Sequence, residues 1–172
     1  MQDRLARRPF IAAVLALAAS PARAAEPPRV VATFSVLGDM ITRIAGDKVK
    51  LTTIVGGDGD CELYQPTAAD ARAVAEARLF VMNDLNPRFE PWADPLLKRA
   101  SFRGTKLVAS QGVNVIIDDR PFGRVKGPQV DPHAWQDPAN ALVYVANISE
   151  ALARLDRGNA AFYRSQADGY AR

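Results

Sequence analysis

The chain has 172 residues, of which 48% are hydrophobic and 24% are charged, and its formal net charge is +3. Residues 1–24 contain four arginines and one aspartate, and removing these from the 22 basic and 19 acidic residues leaves 18 of each. This balance gives no sign of a nucleic acid partner, and none is expected; the single cysteine excludes an internal disulfide framework.

The first 24 residues have the three parts of a secretory signal. A basic stretch, MQDRLARRPF, precedes the apolar run IAAVLALAAS, and Ala22-Arg23-Ala24 is a small-residue cleavage site. The apolar run is too short to span a membrane. We predict export through the Sec route or, because Arg7-Arg8 resembles a twin-arginine motif, through the twin-arginine route. The mature chain is expected to be a soluble exported protein without direct membrane insertion.

The mature sequence begins with a predicted strand, a helix and a second strand. Residues 29–36, RVVATFSV, are rich in β-branched and aromatic side chains, which is typical of a strand. Residues 49–55, VKLTTIV, alternate in polarity and predict the second strand. Between them, an amphipathic helix that ends near Gly46 is predicted by apolar residues on one face, namely Leu37, Met40, Ile41 and Ile44.

A helix, a strand and another helix follow. Thr67, with Asp70 three residues later, is a variant of the capping box and begins a helix of strong helix formers. Residues 78–83 predict a third strand, and Pro91 suits the first turn of a helix over residues 91–100. The apolar face of that helix consists of Trp92, Leu96 and Leu97.

The last third of the chain combines short strands, a loop and two helices. Residues 105–110 and 113–117 predict two short strands, and residues 118–132 have the composition of a loop. Asp137-Pro138 is a strong helix start. A polar DRGN segment ends that helix, and a further helix follows it. The predicted apolar face consists of Leu142, Val145, Ile148, Leu152 and Leu155.

This alternation of strands and helices predicts an α/β fold. Strands that are separated by helices pair in parallel, so we expect a doubly wound, mostly parallel sheet with helices on both faces. About 150 mature residues are enough for one domain with a substantial core.

The segment GGDGDCELYQPT, residues 56–67, is the most chemically distinctive loop. It follows a strand and precedes a helix, as a nucleotide-binding loop does, but it lacks the lysine of a P-loop and the G-x-G-x-x-G pattern. Cys61 is a candidate nucleophile that would need His133, the only histidine, as its base. No cysteine-enzyme signature surrounds Cys61, and we do not expect an enzyme.

A metal site has better support from the residues. His133 lies in DPHAWQDP, between Pro132 and a helix start, so its side chain loses freedom before a ligand arrives. A histidine that is only hydrogen-bonded into its loop is the structural alternative. Ligands of doubly wound folds collect at the carboxyl ends of the strands. The loop over residues 56–67 lies at such an end, so Glu62 could meet His133.

Several segments of this sequence resemble those of a known family. They are VVATFSVLGDMITRIAGD, YQPTAADARAVAEARLFVMN, FEPW, DPHAWQDPANALVYVANISEALARLD and NAAFYRSQADGY, in order over residues 29–172. The chain looks like the metal-binding solute receptors of ABC transporters for zinc, manganese and iron, the cluster A-I type. The resemblance implies two α/β lobes that are joined by one long helix and hold the metal between them. It also implies a periplasmic location and delivery of the ion to a permease.

The resemblance also implies which residues bind the ion. His133 matches the family's histidine in D-P-H-x-W, whereas Glu62 occupies the position of the histidine that precedes Y-x-P-T. Cys61 and Asp60 are minor candidate ligands, and loop aspartates such as Asp60 more often cap turns. A carboxylate in place of imidazole moves the preference towards harder ions such as manganese.

The resemblance covers one lobe of the family's two. We expect a signal peptide over residues 1–24, an N-terminal lobe over 25–157 and the start of the interlobe helix over 158–172, with the second lobe absent. A zinc, manganese or iron ion would be the transported ligand, bound weakly by this chain, and the permease or a metallochaperone would be its partner. The alternative is an interaction or scaffold lobe, or a decayed remnant, that no longer binds metal tightly.

Overall fold

The computed structural model describes residues 26–118, 127–170 and 172. The predicted signal peptide over residues 1–24 lies outside these ranges. The strands are β1 Arg29–Phe34, β2 Lys50–Val55, β3 Leu79–Met82, β4 Thr105–Val108, β5 Ile117–Asp118 and β6 Gln129–Val130. The helices are α1 Ser35–Ala45, α2 Ala68–Glu76, α3 Ala93–Arg99, α4 Pro138–Leu155 and α5 Ala160–Tyr170, with short 3₁₀ turns at Gly46–Lys48, Ala134–Gln136 and Arg157–Asn159.

Four parallel strands form the main sheet in the order β2-β1-β3-β4. The chain moves from β1 outward to β2 and then crosses back to β3, so right-handed crossovers place α1 and α2 on opposite faces. Helices α4 and α5 pack with α1, whereas α3 packs with α2. The predicted doubly wound α/β fold is therefore confirmed.

The sheet and α1 bury the residues that the sequence pattern assigns to the core. Strand β3 is buried along its whole length, as expected for a central parallel strand. Helix α1 buries its predicted apolar face, and it ends at Gly46, whose φ of 54° is the left-handed conformation that glycine adopts readily. The buried residues of that face are Leu37, Met40, Ile41 and Ile44.

The two predicted helix caps are also present. The Thr67 side chain accepts the N–H of Asp70, and the Asp70 carboxylate accepts the N–H of Thr67, which completes a capping box. The Asp137 carboxylate accepts the N–H groups of Ala139 and Asn140 at the start of α4, with Pro138 in the first turn.

Two helices begin at positions that differ from the prediction. Strand β1 ends at Phe34 rather than residue 36, because Ser35 already belongs to α1. Helix α3 begins at Ala93 and not at Pro91, which precedes the helix. None of the helices in the described ranges is both long and apolar enough to span a membrane.

The strand predicted over residues 113–117 is wrong. Only Ile117–Asp118 forms a short strand, antiparallel to Gln129–Val130. The Asn114 backbone N–H donates to Asn140 Oδ1, and Asn140 Nδ2 donates back to the Asn114 carbonyl, so this segment is bound to α4 rather than to the sheet.

The predicted core face of α4 is also wrong at its first residue. Leu142 is 46% exposed. Asn140 and Tyr144 take the buried positions of the first turns, and the predicted stripe is buried from Val145 through Ile148 and Leu152.

The cap of α4 gives a direct stability prediction. Asp137→Ala removes the acceptor for two backbone N–H groups and should lower the free energy of unfolding by about 1 kcal/mol, as measured by urea unfolding. Asp137→Asn keeps a side-chain oxygen at the same place and should retain most of that stability. Equal losses in the two variants would contradict the capping role.

Candidate functional site

The chain adds β2 on one side of β1 and then β3 and β4 on the other side. The carboxyl ends of β1 and β3 therefore lie at the switch point of the sheet. Such a switch point leaves a crevice beyond the strand ends, and ligands of doubly wound folds bind there. The segment that carries His133 lies over this crevice. Its Trp135 ring packs 4.8 Å from that of Phe34, the last residue of β1.

A buried carboxylate joins the two central strands at this edge. Glu90 is 5% exposed, and its Oε1 accepts a hydrogen bond from the Thr33 hydroxyl in β1. Its Oε2 accepts the N–H groups of Asn83, at 3.0 Å, and Asp84, at 3.1 Å, directly after β3. Burial raises the pKa of Glu90, although the three hydrogen bonds act in the opposite direction.

Asn83 connects this edge of the sheet to the segment that carries His133, called the histidine segment below. It is fully buried, and its Nδ2 donates to the carbonyl of Pro132 at 2.9 Å, next to His133. Its Oδ1 accepts from the Tyr144 hydroxyl of α4, and its carbonyl accepts from the Ser110 hydroxyl. The sheet, α4 and the histidine segment therefore meet at one side chain.

Asp131 fixes the orientation of His133. Its Oδ1 lies 2.7 Å from His133 Nδ1 and also accepts the His133 backbone N–H at 2.8 Å. An ionised carboxylate only accepts hydrogen bonds, so Nδ1 donates in this contact, and in the neutral imidazole Nε2 then carries the lone pair. This carboxylate–imidazole arrangement is the one found behind metal-ligating histidines. The His133 side chain is 44% exposed, so the ring is reachable from solvent.

Aromatic rings form one side of the histidine position. The His133 ring makes edge contacts with Phe89, at a centroid distance of 5.7 Å, and with Trp135, at 5.3 Å. The Phe89 and Trp135 rings lie 5.3 Å apart. Beyond the ring lies a cavity of about 260 Å³ lined by Ile116, Asp131, His133, Ala134, Gln136, Asp137 and Asn140.

Glu62 lies at the same edge of the sheet, after β2, but it faces a different cavity. Its side chain is exposed and borders a space of about 380 Å³ with Tyr64, Trp92 and Arg99. The Tyr64 and Trp92 rings pack 5.3 Å apart beneath it. Glu62 and His133 therefore line separate cavities in this structure.

Asp60 and Cys61 lie in the same turn as Glu62 and make structural contacts of their own. Asp60 Oδ1 accepts the N–H groups of Glu62, at 2.8 Å, and Leu63, at 3.3 Å, so this carboxylate caps the turn. The Cys61 carbonyl accepts the indole N–H of Trp92 at 2.8 Å.

The Cys61 thiol has none of the features of a reactive cysteine. Only 9% of the residue is exposed. Burial raises the pKa of Cys61 from 9.0 to about 12, with further contributions from the carboxylates of Glu90, Asp60 and Glu62. The thiolate that a nucleophile or a metal ligand requires is therefore disfavoured.

The described residues, 26–118, 127–170 and 172, hold no cluster of three or more His, Cys, Asp or Glu side chains that could bind a metal ion. Sequence reasoning found His133 but missed its partner Asp131, although the D-P-H spacing carried that signal. It also missed Asn83, which lies 49 positions before Pro132 and has no sequence pattern that links it to the site.

Residues 30–172 match the family described as zinc-uptake complex component A, periplasmic, or ZnuA. The iron-binding protein YfeA of Yersinia pestis is 30% identical over 152 residues, which cover 88% of this chain and 47% of YfeA. The manganese ABC transporter substrate-binding lipoprotein PsaA of Streptococcus pneumoniae is 34% identical over 146 residues, which cover 83% of this chain and 46% of PsaA.

A solved structure shows the same fold. The Mn-bound periplasmic metal binding protein of Candidatus Liberibacter asiaticus superposes with a TM-score of 0.69 at 32% identity. The match covers 83% of this chain and 51% of that protein. The chain thus spans about half the length of the curated relatives and of the structure that it matches.

The buried carboxylate predicts a pH dependence of stability. Because burial raises the pKa of Glu90, the folded chain keeps a proton that the unfolded chain releases near pH 4.5. This contribution to stability is complete below pH 4.5 and is lost as the pH rises through the pKa of Glu90 in the folded chain. Glu90→Gln removes the titration, and its amide can still accept the N–H groups of Asn83 and Asp84. The free energy of unfolding of the wild type should therefore fall relative to that of Glu90→Gln as the pH rises from 4 to 8. If the free energies of unfolding of the two proteins changed equally with pH, the raised pKa of Glu90 would be contradicted.

Proposed function

The chain belongs to the ZnuA family of periplasmic zinc-uptake components, and from this membership we propose that it is a metal-binding lobe of an ABC importer's substrate-binding protein. The ion is cargo and undergoes no chemical conversion. Family membership supports transport rather than an enzyme, and the relatives' names support manganese or iron beside zinc as the ion.

His133 is the proposed ligand, and its Asp131 partner is the observation that carries the proposal. With Nδ1 donating to Asp131, the lone pair of Nε2 is available on a partly exposed ring. The second hydrogen bond of Asp131, to the His133 backbone, holds the carboxylate and the ring in one local unit. A ring that is oriented before the ion arrives loses less conformational entropy on binding.

Glu62 is the proposed second donor of this lobe. It follows β2 at the same sheet edge, and its exposed carboxylate is not used by the turn, which Asp60 caps instead. Glu62 and His133 line separate cavities in this structure, and in this proposal both side chains turn towards a shared ion. A carboxylate with an imidazole suits manganese or iron as well as zinc.

Cys61 and Asp60 contribute less to this proposal. The thiol of Cys61 is buried and protonated, and the Asp60 carboxylate already accepts two backbone N–H groups. Zinc sites hold about four ligands. We propose that the remaining donors come from outside this lobe, because the matched relatives are about twice as long as the matched segment.

The proposed site of action is the periplasm, and the proposed partner is the membrane permease of the importer. The family description names a periplasmic component, and the name of PsaA describes a substrate-binding lipoprotein of an ABC transporter. The predicted signal peptide over residues 1–24 supports export.

Removing the imidazole tests the ligand role. His133→Ala should weaken Zn²⁺ and Mn²⁺ binding by about 10-fold or more, equivalent to at least about 1.4 kcal/mol, as measured by isothermal titration calorimetry. Gln136→Ala is the matched control, because it alters an exposed residue of the same cavity that has no strong metal donor. Unchanged affinity in His133→Ala would contradict the proposal.

Adding an imidazole tests whether Glu62 shares the ion. Glu62→His should tighten Zn²⁺ binding by about 10-fold, since nitrogen ligands suit zinc and a second imidazole joins His133. Asp58→His adds a histidine to the same exposed turn four positions earlier and should have a smaller effect. Equal gains from the two variants would mean that position 62 has no particular relation to His133.

A further inference from the structure

Two asparagines hold the backbone on both sides of Asp131. They are the first and last residues of the NDLN segment that follows β3. Asn83 Nδ2 donates to the carbonyl of Pro132 at 2.9 Å, and Asn86 Nδ2 donates to the carbonyl of Val130 at 2.7 Å. The residue between those carbonyls is the one that orients His133.

The amide orientation of each asparagine is fixed by a second hydrogen bond. Asn83 Oδ1 accepts from the Tyr144 hydroxyl, and Asn86 Oδ1 accepts the backbone N–H of Arg88 at 3.0 Å. Because each oxygen is bound to a donor, each amide nitrogen faces the histidine segment. A flipped Asn86 would lose both of its hydrogen bonds, and a flipped Asn83 would lose its bond to the Pro132 carbonyl.

The base of this arrangement is rigid. Asn83 is fully buried, its N–H is bound by Glu90, and its carbonyl is bound by Ser110. On the other side, the Asp131 N–H donates to the carbonyl of Ile116 at 2.9 Å. The backbone on each side of Asp131 is therefore held by the NDLN segment, and Asp131 itself by Ile116, the residue that precedes β5.

We propose that Asn83 and Asn86 form an amide clamp that positions His133 for metal binding by fixing the backbone around Asp131. The clamp rests on the proposed ligand role of His133, and the asparagines themselves do not contact the ion. With the backbone fixed, the Asp131 carboxylate stays within reach of Nδ1, and the lone pair of Nε2 points in one direction. Partners behind a ligating histidine typically change metal affinity about 10–100-fold.

Asn86→Asp is the sharpest variant for this proposal. The aspartate keeps an oxygen for the Arg88 N–H, but it places a second oxygen against the Val130 carbonyl in place of the N–H donor. Asn86 is only half-buried, so the fold should tolerate the change better than at fully buried Asn83.

Asn147→Asp provides a matched control. Asn147 is also half-buried, and its Nδ2 donates to the carbonyls of Ala109, at 2.9 Å, and Gln111, at 2.8 Å. The substitution makes the same chemical change against the same kind of acceptor, but these carbonyls follow β4, in a loop that does not carry His133. Circular dichroism thermal midpoints of both variants verify that they are folded.

The first readout needs no metal. The chain has one histidine, so long-range ¹H–¹⁵N NMR of the untagged protein reports the His133 tautomer without ambiguity. The wild type and Asn147→Asp should show the Nδ1–H tautomer. Asn86→Asp should show a mixture of tautomers and faster exchange of the His133 backbone N–H. An Asn86→Asp spectrum and exchange rate equal to those of the control would overturn the clamp.

The second readout is Zn²⁺ titration of the same proteins. Asn86→Asp should bind Zn²⁺ about 10-fold more weakly than the wild type, and Asn147→Asp should be unchanged. A changed tautomer with unchanged Zn²⁺ affinity, in a chain where His133→Ala does lose affinity, would also overturn the clamp. If His133→Ala binds as tightly as the wild type, the proposed ligand role fails, and the metal-free readout alone then decides whether the clamp positions the ring.

Discussion

Glu90 is a buried acid whose two carboxylate oxygens join the central strands at the edge where the site lies. One oxygen accepts from Thr33 in β1, and the other accepts the N–H groups of Asn83 and Asp84 after β3. Without this acceptor, the buried N–H groups would lack a partner, at a cost of about 1–3 kcal/mol each. The Glu90 carboxylate therefore determines the path of the chain beyond β3. Asn83 is thereby placed between α4 and the histidine segment, and the position of His133 follows from it.

The site has a rigid side and an exposed side. His133 is supported by Asp131, by aromatic rings and by a backbone that is bound to the core. Glu62 instead lies on an exposed turn after β2, with its own cavity. One oriented imidazole is fewer than the roughly four ligands of a zinc site. This agrees with the proposal that further donors come from outside this lobe.

Local signals predicted the elements well, and long-range contacts account for the failures. The Gly46 stop, the capping box at Thr67 and the Asp137 cap are interactions within a few residues, so the sequence contains their full pattern. The strand predicted over residues 113–117 was wrong because Asn140, 26 positions from Asn114, binds that segment. His133 was readable from its motif, whereas the contribution of Asn83 depends on a partner 49 positions away.

The central claim is that His133 binds the ion through Nε2 while Asp131 holds Nδ1. A crystal structure of the chain with bound Zn²⁺ tests this claim most directly. We predict a zinc ion about 2.0–2.1 Å from His133 Nε2, with the contact between Nδ1 and Asp131 retained. A zinc ion on Nδ1 that displaces Asp131, or a zinc ion held by the chain without His133, would contradict it.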